Sequence, residues 1–136
     1  MINYELLYSF SKEILSIDNS IRWVGIANKF GVLINAEYRE GLQLLMSEEE
    51  NEEYASLTVT RYKTRVKFQS KIGKLIYAFG KYEKLSRVTI HINGDYFLLL
   101  TLDSKIRNFD EILTEKVIPL VQERKLIFAD DEKSKG

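Results

Sequence analysis

Residues 87–102, RVTIHINGDYFLLLTL, decide the fold. The first half of this stretch alternates apolar and polar side chains, as in a strand with one buried face. Asn93-Gly94 follows and favours a tight hairpin turn of the primed type, with positive φ at both positions. The return strand, residues 96–100, is apolar without alternation, and such a strand must be covered on both faces. The hairpin therefore predicts a sheet with one layer above it and one below.

The length and composition limit the classes of protein. A chain of 136 residues fits one domain of the usual ~100–200 residues, and we expect a single domain over residues 1–128. Residues 129–136 are charged, lack apolar anchors and are expected to be disordered. Twenty acidic and twenty basic residues cancel, so the overall attraction to nucleic acid or anionic membrane is weak.

Several chemistries and locations are disfavoured by what the sequence lacks. It contains no cysteine and one histidine, which excludes disulfides and thiol catalysis and argues against a zinc site. The N-terminus has neither a basic segment nor an uninterrupted apolar run, so it does not resemble a signal peptide. No stretch approaches the roughly 20 apolar residues of a membrane span. We expect a cytoplasmic protein without a membrane partner.

The first third of the chain predicts a helix and a hairpin. Apolar residues at three- and four-residue steps predict a first helix over residues 2–17. Residues 21–27 predict a largely buried strand, in which Gly25 marks the close approach of a neighbour. Residues 28–31 favour a turn with glycine in the left-handed conformation, and residues 32–38 form the antiparallel return.

A second helix should begin after Ser47. Ser47 and Glu50 match a capping box, and the helix is predicted to reach about Lys71 and stop at Gly73. Its acids lie at the start and its bases at the end, which suits the helix dipole. The bases form either a solvated helix face or a phosphate-binding patch, and they are Arg61, Lys63, Arg65, Lys67, Lys71 and Lys74. The apolar connector before it, residues 40–46, should fold back over a helix or form a lip for a partner.

The remaining elements complete the topology. Residues 75–80 predict a third strand, and residues 81–86 a polar turn into the hairpin. A third helix should carry its apolar stripe over residues 112–121, capped by Asn108 with Glu111, and Pro119 should kink it. The order αββαβββα predicts an α+β fold with three layers, α/β/α, around a five-stranded antiparallel sheet in the order 2-1-5-4-3.

Catalytic signatures do not emerge from the residue spacing. His91 has no serine, cysteine or acid at motif spacing, which favours a structural or surface role. Asp95 and Asp103 flank one strand at opposite ends, roughly 20 Å apart, too far for acid–base partnership. The glycines form no phosphate loop. We therefore expect no enzyme, no cofactor and no metal site.

The element order, together with the first hairpin WVGIANKFGVLINAEY, resembles the roadblock/dynein light-chain family, in particular archaeal proteins of that kind. The likeness covers residues 4–122. It implies a homodimer that pairs the third strands edge to edge and packs the second helices together. It also implies a non-enzymatic scaffold or a regulator of small Ras-like GTPases. The long basic second helix and the apolar connector depart from the family pattern.

The residues support a dimer independently of the resemblance. Residues 75–80 contain neither proline nor an internal charge to protect a sheet edge. The second helix carries apolar or aromatic groups on both sides, so that one side can meet the sheet and the other a partner. The predicted interface consists of Tyr54, Leu57, Tyr62, Leu75, Ile76, Tyr77, Ala78 and Phe79.

Two alternative functions remain open at this point. A small-ligand sensor of the PAS or profilin-like kind would have a pocket beneath the central sheet. A nucleic-acid binder would use the basic residues between 61 and 87, with tyrosines among them stacking on bases. Aromatic residues at helical and strand spacing, however, more often belong to a core or an interface.

Overall fold

Five strands form one antiparallel sheet in the order β2-β1-β5-β4-β3 in the computed structural model, which describes residues 2–129. The strands are β1 (Ile21–Asn28), β2 (Leu33–Tyr38), β3 (Ala78–Lys81), β4 (Leu85–Asn93) and β5 (Tyr96–Asp103). The predicted strand order is confirmed, with the two most apolar strands inside the sheet. The predicted tail, residues 129–136, lies outside the described residues except for Ala129.

Helices cover both faces of this sheet, so the three-layer α+β architecture and its αββαβββα topology are confirmed. The helices are α1 (Tyr4–Ile17), α2 (Glu48–Arg65), α3 (Gln69–Ile72), α4 (Phe109–Ile112), a π-helical segment (Leu113–Val117), α5 (Ile118–Glu123) and a 3₁₀ turn (Lys125–Phe128). α1 and the C-terminal helical segments share one face, and α2 lies on the other.

The larger core lies between the sheet and α1. Leu7, Phe10 and Ile14 of α1 are fully buried there, against alternate residues of β1, β4 and β5. Phe128 meets Phe10 edge to face, with ring centroids 5.4 Å apart. Burial of side chains this large is the main stabilising contribution to the fold, and it fixes the C-terminal helical segments on the same face as α1.

The smaller core lies between the sheet and α2, where the helix approaches the sheet closely. Small side chains at Ala27 and Ala55 let the helix come near the sheet, and both are fully buried. The Trp23 ring lies over Gly25, where a Cβ atom would sit 2.2 Å from the ring. The predicted close approach at Gly25 is therefore confirmed, and the neighbour is a side chain of the same strand.

The outer edge strand β2 is protected by α1. The Ser11 hydroxyl donates to the Asn35 side chain at 2.8 Å, and Lys12 approaches Glu37 at 3.7 Å. Both contacts join α1 to β2. This edge of the sheet is therefore polar, charged and partly covered.

The capping box of α2 is confirmed. The Ser47 hydroxyl accepts from the Glu50 amide at 3.1 Å, and the Glu50 carboxylate accepts from the Ser47 amide at 2.8 Å. The predicted end of the helix is wrong, because α2 stops at Arg65 and a turn separates it from α3. Lysines at four-residue spacing, Lys63, Lys67 and Lys71, would repel each other along a continuous helix.

The predicted primed turn at Asn93-Gly94 is also wrong. Among the described residues only Gly31, Gly41 and Gly73 have positive φ. Asn93 pairs with Tyr96 instead, and its side-chain oxygen accepts from the Asp95 amide at 2.8 Å. This local hydrogen bond supplies the turn that positive φ values would otherwise provide.

Three further boundaries differ from the prediction. β3 starts at Ala78 and ends at Lys81, and β4 already begins at Leu85, so the predicted polar turn shrinks to residues 82–84. The side chain of Asn108 makes no capping hydrogen bond. The irregularity expected near Pro119 is present, but as the π-helical segment just before it.

Gly31, in the turn between β1 and β2, combines a positive φ with a close contact. Its φ is +81°, and a Cβ atom there would lie 2.8 Å from Cα of Ser56 in α2. Gly31→Ala should lower the free energy of unfolding by about 2 kcal/mol or more, because the left-handed conformation alone costs about 1–2 kcal/mol and the α2 backbone must shift. Urea unfolding measures this loss.

Gly41→Ala is the matched control. Gly41 has the same φ of +81° but no atom within 4 Å of its Cβ position, so only the conformational cost of about 1–2 kcal/mol remains. Equal losses in the two variants would show that the hairpin does not press on α2.

Candidate protein interface

The edge strand β3 has one strand partner within residues 2–129. It pairs with β4 from Ala78↔Thr89 to Lys81↔Ser86. The backbone groups on its outer side have no ladder partner in this part of the chain, and such an edge can pair with another chain. Lys81 places one charge at the end of the strand, so the rest of the edge is unprotected by charge or proline.

The residues around β3, which we call the edge segment (residues 75–81), are anchored on one side. The Tyr77 hydroxyl donates to the Asp110 carboxylate at 2.5 Å, and this hydrogen bond raises the pKa of Tyr77 to about 12. Phe79 stacks on Phe109 with ring centroids 4.1 Å apart. The C-terminal helical segments thus hold the edge segment in place, while Ile76 remains 64% exposed.

An apolar groove lies between α2 and the turn that follows β3. This Leu57 groove has a volume of about 450 Å³. Leu57 itself is 52% exposed. The groove is lined by Leu45, Met46, Tyr54, Leu57, Arg61, Tyr82, Leu85 and Arg87. Of the predicted interface residues, Tyr54 and Leu57 line this groove. Leu75 and Ile76 line a different groove together with Tyr62, and Tyr77 and Phe79 pack against the core on the other face of the sheet.

Tyr54 forms the floor of the Leu57 groove. The Arg87 guanidinium lies 3.5 Å from the centroid of the Tyr54 ring, and that of Arg61 lies 6.0 Å from it. Arg87 is buried and contacts the Met46 sulfur, which holds the connector against β4. The connector therefore folds back over the sheet, and it still leaves Leu44 and Leu45 exposed.

Two groove residues were missed by the sequence reasoning. Tyr82 was placed in a polar turn, and Arg87 on the polar side of a strand. Tyr82 is exposed at the tip of the β3–β4 hairpin, while Arg87 is buried by Tyr54. An aromatic residue in an otherwise polar turn was the one signal that could have singled out Tyr82.

Tyr62 points towards the protein interior, unlike Leu57. Its hydroxyl lies 2.9 Å from Nδ1 of His91, and its ring meets Phe97 edge to face at 5.0 Å. His91 and Phe97 also contact each other, with ring centroids 4.9 Å apart. Burial raises the pKa of Tyr62 and lowers the pKa of His91. These contacts give His91 a packing role beneath α2.

The lowered pKa of His91 predicts a pH-dependent stability. The folded chain resists protonation of the buried ring, whereas the unfolded chain takes up the proton below about pH 6.5. The free energy of unfolding should therefore fall as the pH drops from 7 towards the lowered pKa. The slope should stay well below the limit of about 1.4 kcal/mol per pH unit for one proton, because His91 is only half-buried.

Urea unfolding of the parent chain and of His91→Gln between pH 5 and 8 isolates this contribution. The variant keeps a polar side chain opposite Tyr62 but does not titrate. The difference in unfolding free energy between the two proteins should change across this range. If the difference in unfolding free energy stayed constant across this pH range, the lowered pKa of His91 would be contradicted.

The six residues of the predicted basic patch are all exposed. They lie on the second half of α2, in the turn between α2 and α3, on α3 and just after it. The Lys67 ammonium group lies 5.6 Å from the centroid of the Phe68 ring, within the range of a cation–π contact. A solvated face accounts for this arrangement without a phosphate ligand.

A second groove, lined by His91, lies at the margin of the sheet. Its volume is about 490 Å³, and residues of α2, the edge segment, β4 and α5 line it. Its position therefore differs from the pocket beneath the central sheet that a sensor domain would have. Within residues 2–129, no three acidic or histidine side chains converge as a metal site requires, and no helix has the length and apolar character needed to cross a membrane.

The two aspartates at the ends of β5 belong to separate ion pairs. Asp103 accepts from Arg22 at 2.8 Å, and Asp95 lies 3.3 Å from Lys29. This arrangement gives each carboxylate its own basic neighbour. The two aspartates thus take part in structural ion pairs at opposite ends of the sheet.

Solved structures of roadblock proteins resemble this chain. MglB in a tetrameric arrangement superposes with a TM-score of 0.75 at 11% identity, over 91% of this chain and 88% of that chain. Myxococcus xanthus MglB gives 0.70 at 16%, over 90% and 94%. The Roadblock/LC7 domain from Streptomyces avermitilis gives 0.66 at 8%, over 85% and 91%.

Neither protein-family models nor curated protein sequences match the chain. The similarity is thus one of three-dimensional structure at low sequence identity. It extends over most of the chain and over most of each solved structure. The chain has the roadblock fold.

Proposed function

We propose that this roadblock-fold chain is a non-enzymatic interaction module that acts as a homodimer and regulates a small Ras-like GTPase. The observation that carries the proposal is the edge strand β3, which has β4 as its one strand partner within residues 2–129. Exposed Ile76 precedes this strand, and exposed Leu57 lies on α2. An edge of this kind is satisfied when a second copy continues the ladder. The edge of β3 and the exposed side of α2 together provide the apolar centre that a stable interface needs.

Rigidity of the edge segment supports the same proposal. The hydrogen bond from Tyr77 to Asp110 and the Phe79–Phe109 stack fix the segment before a partner arrives. Less ordering is then required on association, which favours affinity. One of the similar structures is a tetrameric arrangement of MglB, so self-assembly is known for a protein of this fold.

Light scattering coupled to size-exclusion chromatography tests the homodimer. At micromolar concentration the full chain should elute with twice the mass of 15.9 kDa. A monomer at this concentration would contradict the proposal.

Binding to purified small Ras-like GTPases from the source organism tests the partner class. Each GTPase is loaded in parallel with GDP and with a non-hydrolysable GTP analogue. A regulator should distinguish the two nucleotide states, because switch segments that contact the γ-phosphate are ordered only with the triphosphate. Absence of binding in both states would leave a dimeric scaffold and remove the GTPase role.

A further inference from the structure

The exposed side of α2 carries a ridge whose charge changes sign at its middle. Side chains at four-residue spacing form such a ridge along a helix. Here they are Glu49, Glu53, Leu57, Arg61 and Arg65, and all five are exposed. Leu57 therefore has two acids on one side and two arginines on the other, at equal spacing.

The chain itself leaves these four charges unpaired. None of them takes part in an ion pair among residues 2–129. Their neighbours at four-residue spacing carry the same charge, Glu49 beside Glu53 and Arg61 beside Arg65. Like charges at this spacing repel each other along the helix, whereas the helix dipole stabilises the acids at its start and the bases at its end. A partner of complementary charge would relieve the repulsion.

Edge pairing determines how two copies of α2 would meet. Two antiparallel strands from identical chains are related by a twofold axis perpendicular to the sheet. Because both copies of α2 lie on the same face, this rotation reverses one helix relative to the other. Leu57 and Arg61 line a groove together with Tyr82 of the β3–β4 hairpin, and a second copy that pairs with β3 would come from the side of this hairpin.

We infer that a second copy of the chain docks on this ridge with Leu57 of each copy at the twofold axis. Glu53 of one copy then faces Arg61 of the other, and Glu49 faces Arg65. Each ion pair occurs twice, because the interface is self-complementary. The inference rests on the proposed homodimer and adds its register and its dependence on charge.

Two double variants test this register. Glu49→Lys with Glu53→Lys makes the whole ridge basic, and Arg61→Glu with Arg65→Glu makes it acidic. Each variant alone should have a dimer dissociation constant raised about tenfold or more at low salt, because like charges then face each other. Mixing the two should restore a heterodimer within a few-fold of the parent affinity. Analytical ultracentrifugation of the full chains measures all three.

Glu48→Lys with Glu52→Lys is the matched control. It makes the same change of charge in the same helix turns, but both residues line a groove beside β2, away from the edge segment. This variant should dimerise as the parent does. Circular dichroism and thermal unfolding confirm that each variant is folded, and the mixing experiment compares only folded chains.

The outcomes separate this inference from the proposed function. Ridge variants that dimerise alone with the parent affinity would overturn the inference and leave the homodimer intact. If the ridge variants are folded and dimerise weakly alone but do not form a heterodimer when mixed, the proposed charge complementarity would be overturned. A monomeric parent chain would remove the homodimer and the inference with it.

Discussion

Ile76→Asp is expected to convert the homodimer into a monomer while leaving the fold intact. Ile76 is 64% exposed on the edge segment, so the substitution adds a charge at a surface position and removes no core contact. Ile76 lies two residues before β3, and a charge beside an edge strand opposes pairing with another strand. A central interface residue contributes about 2 kcal/mol or more, and both copies carry the change. The dissociation constant should therefore rise about 1,000-fold.

Sedimentation of the full chain across micromolar concentrations measures this change. Leu126→Asp is the control, because Leu126 is 75% exposed and lies in the C-terminal 3₁₀ turn, outside the predicted interface residues. It should leave the dissociation constant unchanged. Circular dichroism should show that both variants are folded, and Ile76→Asp should lose only the part of the thermal stability that dimerisation contributes. An unchanged dimer in Ile76→Asp would show that the copies do not meet through β3.

Leu99→Ala and Leu100→Ala are expected to destabilise the fold by similar amounts and to loosen different helices. The two residues are neighbours in β5 and are almost completely buried, but on opposite faces of the sheet. Leu99 belongs to the small core beneath α2 and Leu100 to the large core beneath α1. Each truncation should cost about 2–5 kcal/mol of unfolding free energy.

Hydrogen exchange distinguishes the two variants. Leu99→Ala should raise exchange in α2, and Leu100→Ala should raise it in α1, because local opening follows the loss of buried contacts. Only Leu99→Ala should also weaken the homodimer, since the proposed interface includes α2. Unfolding is compared at one protein concentration, because association adds to the apparent stability. Similar exchange patterns in both variants would contradict the two-core description.

The topology was predictable because the hydrophobic pattern of β1, β4 and β5 is set by burial. A strand covered on both faces, such as β5, must lie inside a sheet, and two hairpins leave few ways to join their strands. The capping box at Ser47 and Glu50 was predictable for a different reason, since its hydrogen bonds are local.

The element boundaries that the sequence predicts wrongly lie where competing local interactions decide the structure. The hairpin turn depends on the Asn93 side chain, which forms a hydrogen bond that the dipeptide rule ignores. α2 ends at Arg65, before the predicted stop, and Gly73 with its φ of +96° ends α3 instead. Residues 75–77 lie outside the ladder with β4, and Tyr77 there bonds to Asp110, a residue distant in sequence.

The candidate interface was predictable only in part. Leu57 and Ile76 are exposed, and their place in an interface stays a prediction. Tyr62 faces His91 and Phe97, because an aromatic residue on a two-sided helix can serve either side. Whether the exposed residues meet a second copy stays a prediction.

The protection of β2 by α1 limits how far the proposed assembly can grow. If two copies join through β3, the outer margins of the resulting ten-stranded sheet are both β2. There, Glu37 bears a charge and Asn35 is bonded to Ser11 of α1, and such margins resist further strand addition. The pair would thus be a finite particle that cannot polymerise into a fibre by strand addition.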